Sequence, residues 1–287
     1  MLNPGRPVQF VRVRRTQRLP AREGLAVNIA VCIKQVPSTE TKIRVNTSTG
    51  FVDTTEIEWV VNPFDEYAME TALRTKEKAG SGTITAIALG PERVKTALRT
   101  ALAMGADSAL QLTAPEFGGL DALAVGRLLA AAVKRQPFDL VLCGKQAVDD
   151  DLAAVPPAVA HFLQIPHVSV VAEVIADPVA GTIVARREIE GATEVVNASL
   201  PCLLTLQKGA YEPRYPTLKG MMAAKKKEIP VLGPTELGID PAVLTRRIEP
   251  IEDRLPPGRK PGRVLEGTPE EVVPELVRLL HEEAKVL

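Results

Sequence analysis

One apolar run broken by a glycine constrains this chain most. Phe138 to Cys143 (FDLVLC) is short enough to be a buried strand, and Gly144 interrupts it. A polar turn follows with Lys145, Gln146 and three consecutive aspartates, Asp149, Asp150 and Asp151. Pro156 and Pro157 come next, and the sequence then predicts a helix from Ala158 to Leu163. Strand, glycine turn and helix form the unit with which an α/β protein builds a nucleotide pocket at the carboxyl end of its sheet. The same pattern also fits an ordinary βα loop with a solvated acidic tip.

The rest of the chain supports an α/β fold. Asn28–Lys34 (NIAVCIK) reads as a first buried strand. Lys42–Val45 and Phe51–Val52 flank Ser48-Thr49-Gly50 as a hairpin. A helix start follows: Asn62 as N-cap, Pro63 at the first helical position, and Asp65 and Glu66 at the positive end of the dipole. Phe64, Ala68, Met69, Ala72 and Leu73 give that helix one apolar face. Strands over Thr83–Leu89 and Ala109–Leu112 alternate with helices over about Glu92–Met104 and Asp121–Lys134. This alternation predicts a mostly parallel, doubly wound, Rossmann-like sheet. After His167 the pattern changes. Val168–Ile175, Thr182–Glu188, Glu194–Ala198 and Cys202–Leu206 read as strands with no helix between them, an antiparallel addition joined at its start by a turn with Asp177, Pro178 and Gly181. Met221–Lys227 reads as a short basic helix, and Glu270–Val286 as a final amphipathic one.

Composition excludes several classes. Lysine plus arginine equals aspartate plus glutamate, 35 each, which removes the electrostatic case for nucleic acid as a partner. No run approaches the roughly 18 apolar residues of a membrane span. Cys32, Cys143 and Cys202 lie far apart in apolar runs and read as buried, reduced thiols of a bacterial cytoplasmic protein. Three histidines leave little scope for a metal centre or a catalytic triad, so no catalytic residue is assigned. Residues 1–26 carry six arginines and one acid. They read as a disordered tail or a start assigned too far upstream, with regular structure beginning at Val27; the lack of serine argues against a transit peptide. The domains expected are the α/β unit over 27–228 and an arm over 229–287 that packs on another subunit.

Five stretches carry a resemblance: CIKQVP (Cys32–Pro37), NPFDEYAMETALRTKEK (Asn62–Lys78), RTALAMGAD (Arg99–Asp107), LCGKQAVDDD (Leu142–Asp151) and YEPRYPTLKGMMAAKKK (Tyr211–Lys227). In this order they resemble the beta subunit of electron transfer flavoprotein, closely over about Val27–Glu228 and more loosely in the arm. The resemblance implies a non-catalytic electron carrier paired with an alpha subunit that holds most of the redox FAD. It would take electrons from acyl-CoA or related dehydrogenases, as in fatty acid beta-oxidation, and pass them to a quinone oxidoreductase. The beta pocket would hold AMP as a structural ligand, or a second FAD in electron-bifurcating relatives. By position, the pocket residues implied are Cys32, Asn62, Pro63, Phe64, Asp65, Leu89, Gly144, Lys145, Gln146, Ala147, Val148, Asp149, Asp150, Asp151, Leu152, Ala153, Ala154 and Val155. The aspartates are expected to accept from ribose hydroxyls or to cap the turn.

The resemblance also implies a docking loop over about Leu206–Glu228, with Leu218 as its anchor and Lys225, Lys226 and Lys227 around it. Glu188 would pair with the alpha subunit. Read without the resemblance, the three lysines are a solvated helix face and Glu188 a surface strand residue. The chain departs from the family pattern at Ala154, usually polar, and at Pro156, usually glycine; weakened phosphate binding or an empty scaffold pocket follows as an alternative. An α/β nucleotide hydrolase or ligase ranks last, because no GxxxxGK[ST] motif occurs.

Overall fold

Strands whose every residue is buried must be covered on both faces, which only a central parallel strand of a layered α/β fold provides. Leu140–Gly144 and most of Val27–Cys32 meet that description. The computed structural model describes residues 8–13, 26–114, 117–177, 180–209, 211–244, 247–258 and 261–287. Its first elements are β1 (Val8–Val13), β2 (Val27–Cys32), β3 (Gln35–Pro37), β4 (Val45–Asn46), β5 (Phe51–Val52) and β6 (Trp59–Val61). Then come α1 (Pro63–Ala79), β7 (Gly82–Leu89), α2 (Val94–Met104), β8 (Ser108–Leu112), α3 (Ala122–Val133), β9 (Leu140–Gly144) and α4 (Val155–Leu163). The remaining elements are β10 (His167–Asp177), β11 (Thr182–Ile189), β12 (Ala192–Ser199), β13 (Cys202–Leu206), α5 (Leu218–Lys226), β14 (Val231–Leu232) and α6 (Pro269–Arg278).

Ten strands form the main sheet in the order β1-β12-β11-β10-β13-β9-β2-β7-β8-β14. From β10 to β14 every neighbouring pair is parallel. β11 runs antiparallel to both β10 and β12. Buried side chains of α1 and α2, such as Met69 and Leu98, join the core on one face. Those of α3 and α4, such as Leu128 and Val159, join it on the other. The doubly wound α/β class is therefore as expected. Asp121 caps α3 by accepting from the Ala124 N–H at 2.8 Å. α3 and α4 pack closely at Gly126, where a Cβ would lie 2.6 Å from the Ala158 Cβ.

Several local expectations are corrected. β13 is not part of the antiparallel addition; it inserts parallel between β9 and β10, because its buried run Cys202–Leu206 belongs at the centre. Regular structure does not begin at Val27: Val8–Val13 pairs in parallel register with β12, while residues 1–7 and 14–25 lie outside the described residues. α4 starts at Val155, ahead of both prolines, because first-turn N–H groups have no partner inside a helix and their loss is tolerated there. α5 starts at Leu218, three residues before the expected helix.

The chain divides into two compact units. The first contains the main sheet with its helices and runs through Ile251, taking in β14 and the buried Leu244. The second consists of Arg44–Val52 and Glu252–Leu287. In this second unit β4 and β5 form the expected hairpin in shortened form, and the Asp253 carboxylate accepts from the Val52 N–H at 2.9 Å. α6 has a capping box between Thr268 and Glu271, and its Val273, Leu276 and Val277 remain exposed.

The Gly126 contact gives a direct test of the two-layer packing. Gly126→Ala should destabilise the fold by about 1–3 kcal/mol, since neither helix can withdraw without opening the core. Urea unfolding would measure it, and an unchanged midpoint would show that α3 and α4 are not in contact there.

Candidate functional site

The carboxyl edge of the sheet is organised from the head of α1. Asp65, in its first turn, is buried at 4% exposure. One carboxylate oxygen accepts from the Lys34 N–H at 2.7 Å, just past β2, and the other from the Gly144 N–H at 2.9 Å, at the end of β9. β2 and β9 are adjacent, so one side chain fixes both strand ends. Position 144 must be glycine, because a Cβ there would stand 2.4 Å from Asp65 Oδ1. Burial pushes the Asp65 carboxyl up to about 7, against the opposing pull of the two N–H donors.

Asn62 acts beside it. It precedes Pro63 as expected, but its side chain makes no cap hydrogen bond. Instead its amide donates to the Gln146 carbonyl at 2.9 Å and accepts from the Val148 N–H at 3.2 Å. The asparagine serves the βα loop and not its own helix. Phe64 is half-buried, with the Lys145 ammonium 4.8 Å from its ring centroid. Cys32 and Leu89 are buried at the ends of their strands, as expected. Val31 pairs with Leu142, which makes Cys32 and Cys143 neighbours; the Cys32 thiol, together with burial, pushes the Cys143 thiol well above its ordinary value.

The acidic turn is held from within the protein. Lys34 Nζ donates to Asp149 at 2.8 Å and to Asp150 at 2.9 Å. Burial opposes the Lys34 charge, but the two carboxylates outweigh it and raise its pKa. Asp150 also accepts from the Leu152 N–H at 3.1 Å, and Asp151 from the Gln146 amide at 2.6 Å. Of the two roles expected for the aspartates, the turn-holding one is seen directly. Lys34 was missed as a site residue; its place at the end of the buried run Asn28–Lys34 was the available signal.

Beyond the aspartates the backbone is set for an anion. Asp151 and Ala153 have φ of 49° and 53°, and Ala154 is right-handed at the head of α4. The N–H groups of Ala153, Ala154 and Val155 have no protein acceptor among the described residues. Successive N–H groups in such a turn, at a helix N-terminus, form the kind of nest that holds a phosphate. Pro156 removes one donor from the helix but leaves these three, so the residues fit the phosphate of a nucleotide despite the departures at Ala154 and Pro156. Lys145, Gln146, Ala147 and Val148 are half-buried, and Leu152 is exposed.

A second exposed feature lies on α5. Thr217 caps it by accepting from the Gly220 N–H at 3.0 Å, which makes Leu218 the first helical residue, 72% exposed. Tyr215, Met221 and Met222 are exposed near it, with Lys225 and Lys226. Lys227 departs from its expected role: its ammonium donates to the carbonyls of Ala106 at 2.9 Å and Asp107 at 2.8 Å, and so ties α5 down beside α2. Arg99 holds the same end through the carbonyls of Ala224 and Lys227. Glu188 is exposed on β11, opposite Thr193.

Fold and site together define an α/β protein whose carboxyl-edge loops converge on a buried acid. A family model described as "Electron transfer flavoprotein domain" matches residues 49–237. The electron transfer flavoprotein subunit beta of Bacillus subtilis is 40% identical over 263 residues, covering 91% of this chain and all of that protein. The subunit of the same name from Thermoanaerobacterium thermosaccharolyticum is 36% identical, over 89% of this chain and 98% of its own length. The human one is 37% identical, over 87% and 96%. The chain belongs to the electron transfer flavoprotein beta subunit family.

The buried acid has a measurable signature. With a folded pKa raised to about 7 from an ordinary 3.8, Asp65 takes up a proton on folding. Its contribution to stability is full below the ordinary value and is lost as pH rises through about 7. Asp65→Asn lacks this dependence, so the variant should gain on wild type by a few kcal/mol at most between pH 4 and 7. Unfolding midpoints that stay parallel over this range would contradict the burial of the acid.

Proposed function

We propose that this chain is the beta subunit of a heterodimeric electron carrier. It pairs with an alpha subunit, accepts electrons from dehydrogenases such as acyl-CoA dehydrogenases, and delivers them to a quinone-linked acceptor. The FAD, bound mainly by the alpha subunit, supplies the redox chemistry. This chain supplies a structural AMP pocket at Asn62–Asp65 and Gly144–Val155, and the surfaces on which the proteins meet.

The observation that carries the reading is the exposure of Leu218 on a capped, anchored helix. An apolar side chain at the start of a rigid helix, with methionines and a tyrosine near it and lysines along the same helix, has the anatomy of an interface hot spot. A carrier must dock on its donor quickly and leave again, and a small apolar anchor with a charged rim suits both needs. The second unit supports a permanent partner in the same way: α6 buries none of its residues and leaves a stripe of Val273, Leu276 and Val277 for another chain to cover. Among the described residues, no helix is long and apolar enough to cross a membrane.

Co-expression with an alpha subunit should yield a one-to-one complex that retains flavin, and truncation after Ile251 should abolish it. Recovery of the truncated chain in a stable flavin-containing complex would contradict the role given to the arm. In the intact complex, Leu218→Ala should raise KM for a reduced acyl-CoA dehydrogenase by about tenfold without loss of flavin. Wild-type kinetics would remove the docking assignment.

A further inference from the structure

Among the described residues, 211–217 before α5 have no regular structure, yet they must deliver Leu218 to a fixed place. One residue in it is bound far more heavily than its neighbours. Glu70, in the middle of α1, is fully buried. Its Oε2 accepts from Arg214 Nε at 2.7 Å and from the Arg214 backbone N–H at 3.2 Å, and its Oε1 from Arg214 Nη2 at 3.0 Å. Arg74, one turn further along α1, also donates to Oε1, at 2.6 Å. The far side of the Arg214 guanidinium reaches Glu77, with Nη1 at 2.6 Å and Nη2 at 3.3 Å. Burial works against the Glu70 charge, but the arginine hydrogen bonds outweigh it and hold the carboxyl below its ordinary range.

We propose that Arg214 is a positioning residue for partner docking, clasping the segment that precedes Leu218 onto α1 through Glu70 and Glu77. The inference rests on the docking reading above and deepens it. Leu218 follows Arg214 by four residues, and Pro216 limits the intervening backbone. Both ends of the docking element are then fixed: the start by Arg214 on α1, the far end by Arg99 and Lys227 on α2. A forked guanidinium, gripping two carboxylates and tied through its own backbone N–H, fixes orientation in a way that one ammonium cannot. Ordering the anchor before encounter removes a cost that would otherwise fall on binding.

The test uses the complex with the alpha subunit and a purified acyl-CoA dehydrogenase reduced by its acyl-CoA. Three variants are compared: Arg214→Met, the double replacement Glu70→Met with Arg214→Met, and Leu218→Ala. The double variant leaves no buried unpaired carboxylate, which keeps the test open if the single variant folds poorly. Both clasp variants should raise KM about tenfold with kcat within about twofold of wild type, retain flavin, and speed hydrogen exchange over residues 211–220. A merely structural role would instead lower kcat and flavin content together. If the clasp variants keep the wild-type KM while Leu218→Ala raises it, docking stands and the clasp inference falls. If Leu218→Ala also leaves KM unchanged, the docking reading falls and this inference with it.

Discussion

A carboxylate buried at the head of α1 is the interaction on which the rest of the first unit depends. Asp65 collects the N–H groups that end β2 and β9, and these strands are neighbours at the centre of the sheet. Parallel strands diverge into separate loops at their carboxyl ends, and the N–H groups there would be left unpaired in a buried place. One acid satisfies both. The cost is a charge held out of water, which is why its carboxyl titrates so high. Asn62, beside it, extends the same hold into the loop after β9, and Lys34 completes it by gripping Asp149 and Asp150. The loop is thereby fixed up to the three N–H groups at the head of α4 that have no protein acceptor among the described residues.

The segment before α5 repeats this logic with different chemistry. There too a buried acid on α1, Glu70, holds a loop residue in place, its partners being side-chain and backbone donors of Arg214. α1 therefore carries two anchoring acids, one near its start for the strand ends of β2 and β9 and one near its middle for the segment before α5. The helix that sequence patterning marks as an apolar core element is also the frame that holds both of the regions to which a function is proposed.

Much of this was legible in local sequence, because its causes are local. The buried strand ending at Gly144 and the helix start at Pro63 each follow from residues within a few positions of one another. What the sequence hid depends on partners far along the chain. Asn62 looks like an N-cap until Gln146 and Val148 come within its reach. Lys227 looks like one more solvated lysine until α5 packs on α2 and brings the Ala106 and Asp107 carbonyls to it. β13 looks like the last strand of an antiparallel set, and only its uniformly buried pattern shows that it belongs between two parallel neighbours. The strand at Val8–Val13 lies in a segment dominated by arginines, and its pairing partner β12 lies almost two hundred residues along the chain.

The central claim is that the carboxyl-edge loops form a nucleotide pocket for a structural ligand and leave the redox flavin to the partner. The measurement closest to it is to purify the complex with the alpha subunit, denature it, and quantify the nucleotides released by chromatography. The account predicts one FAD and one AMP per heterodimer, with Pro156 tolerated because Ala153, Ala154 and Val155 still supply donors. Release of FAD alone would mean that the pocket is only a scaffold, and release of two FAD would make it a second redox site. Either result would contradict the account.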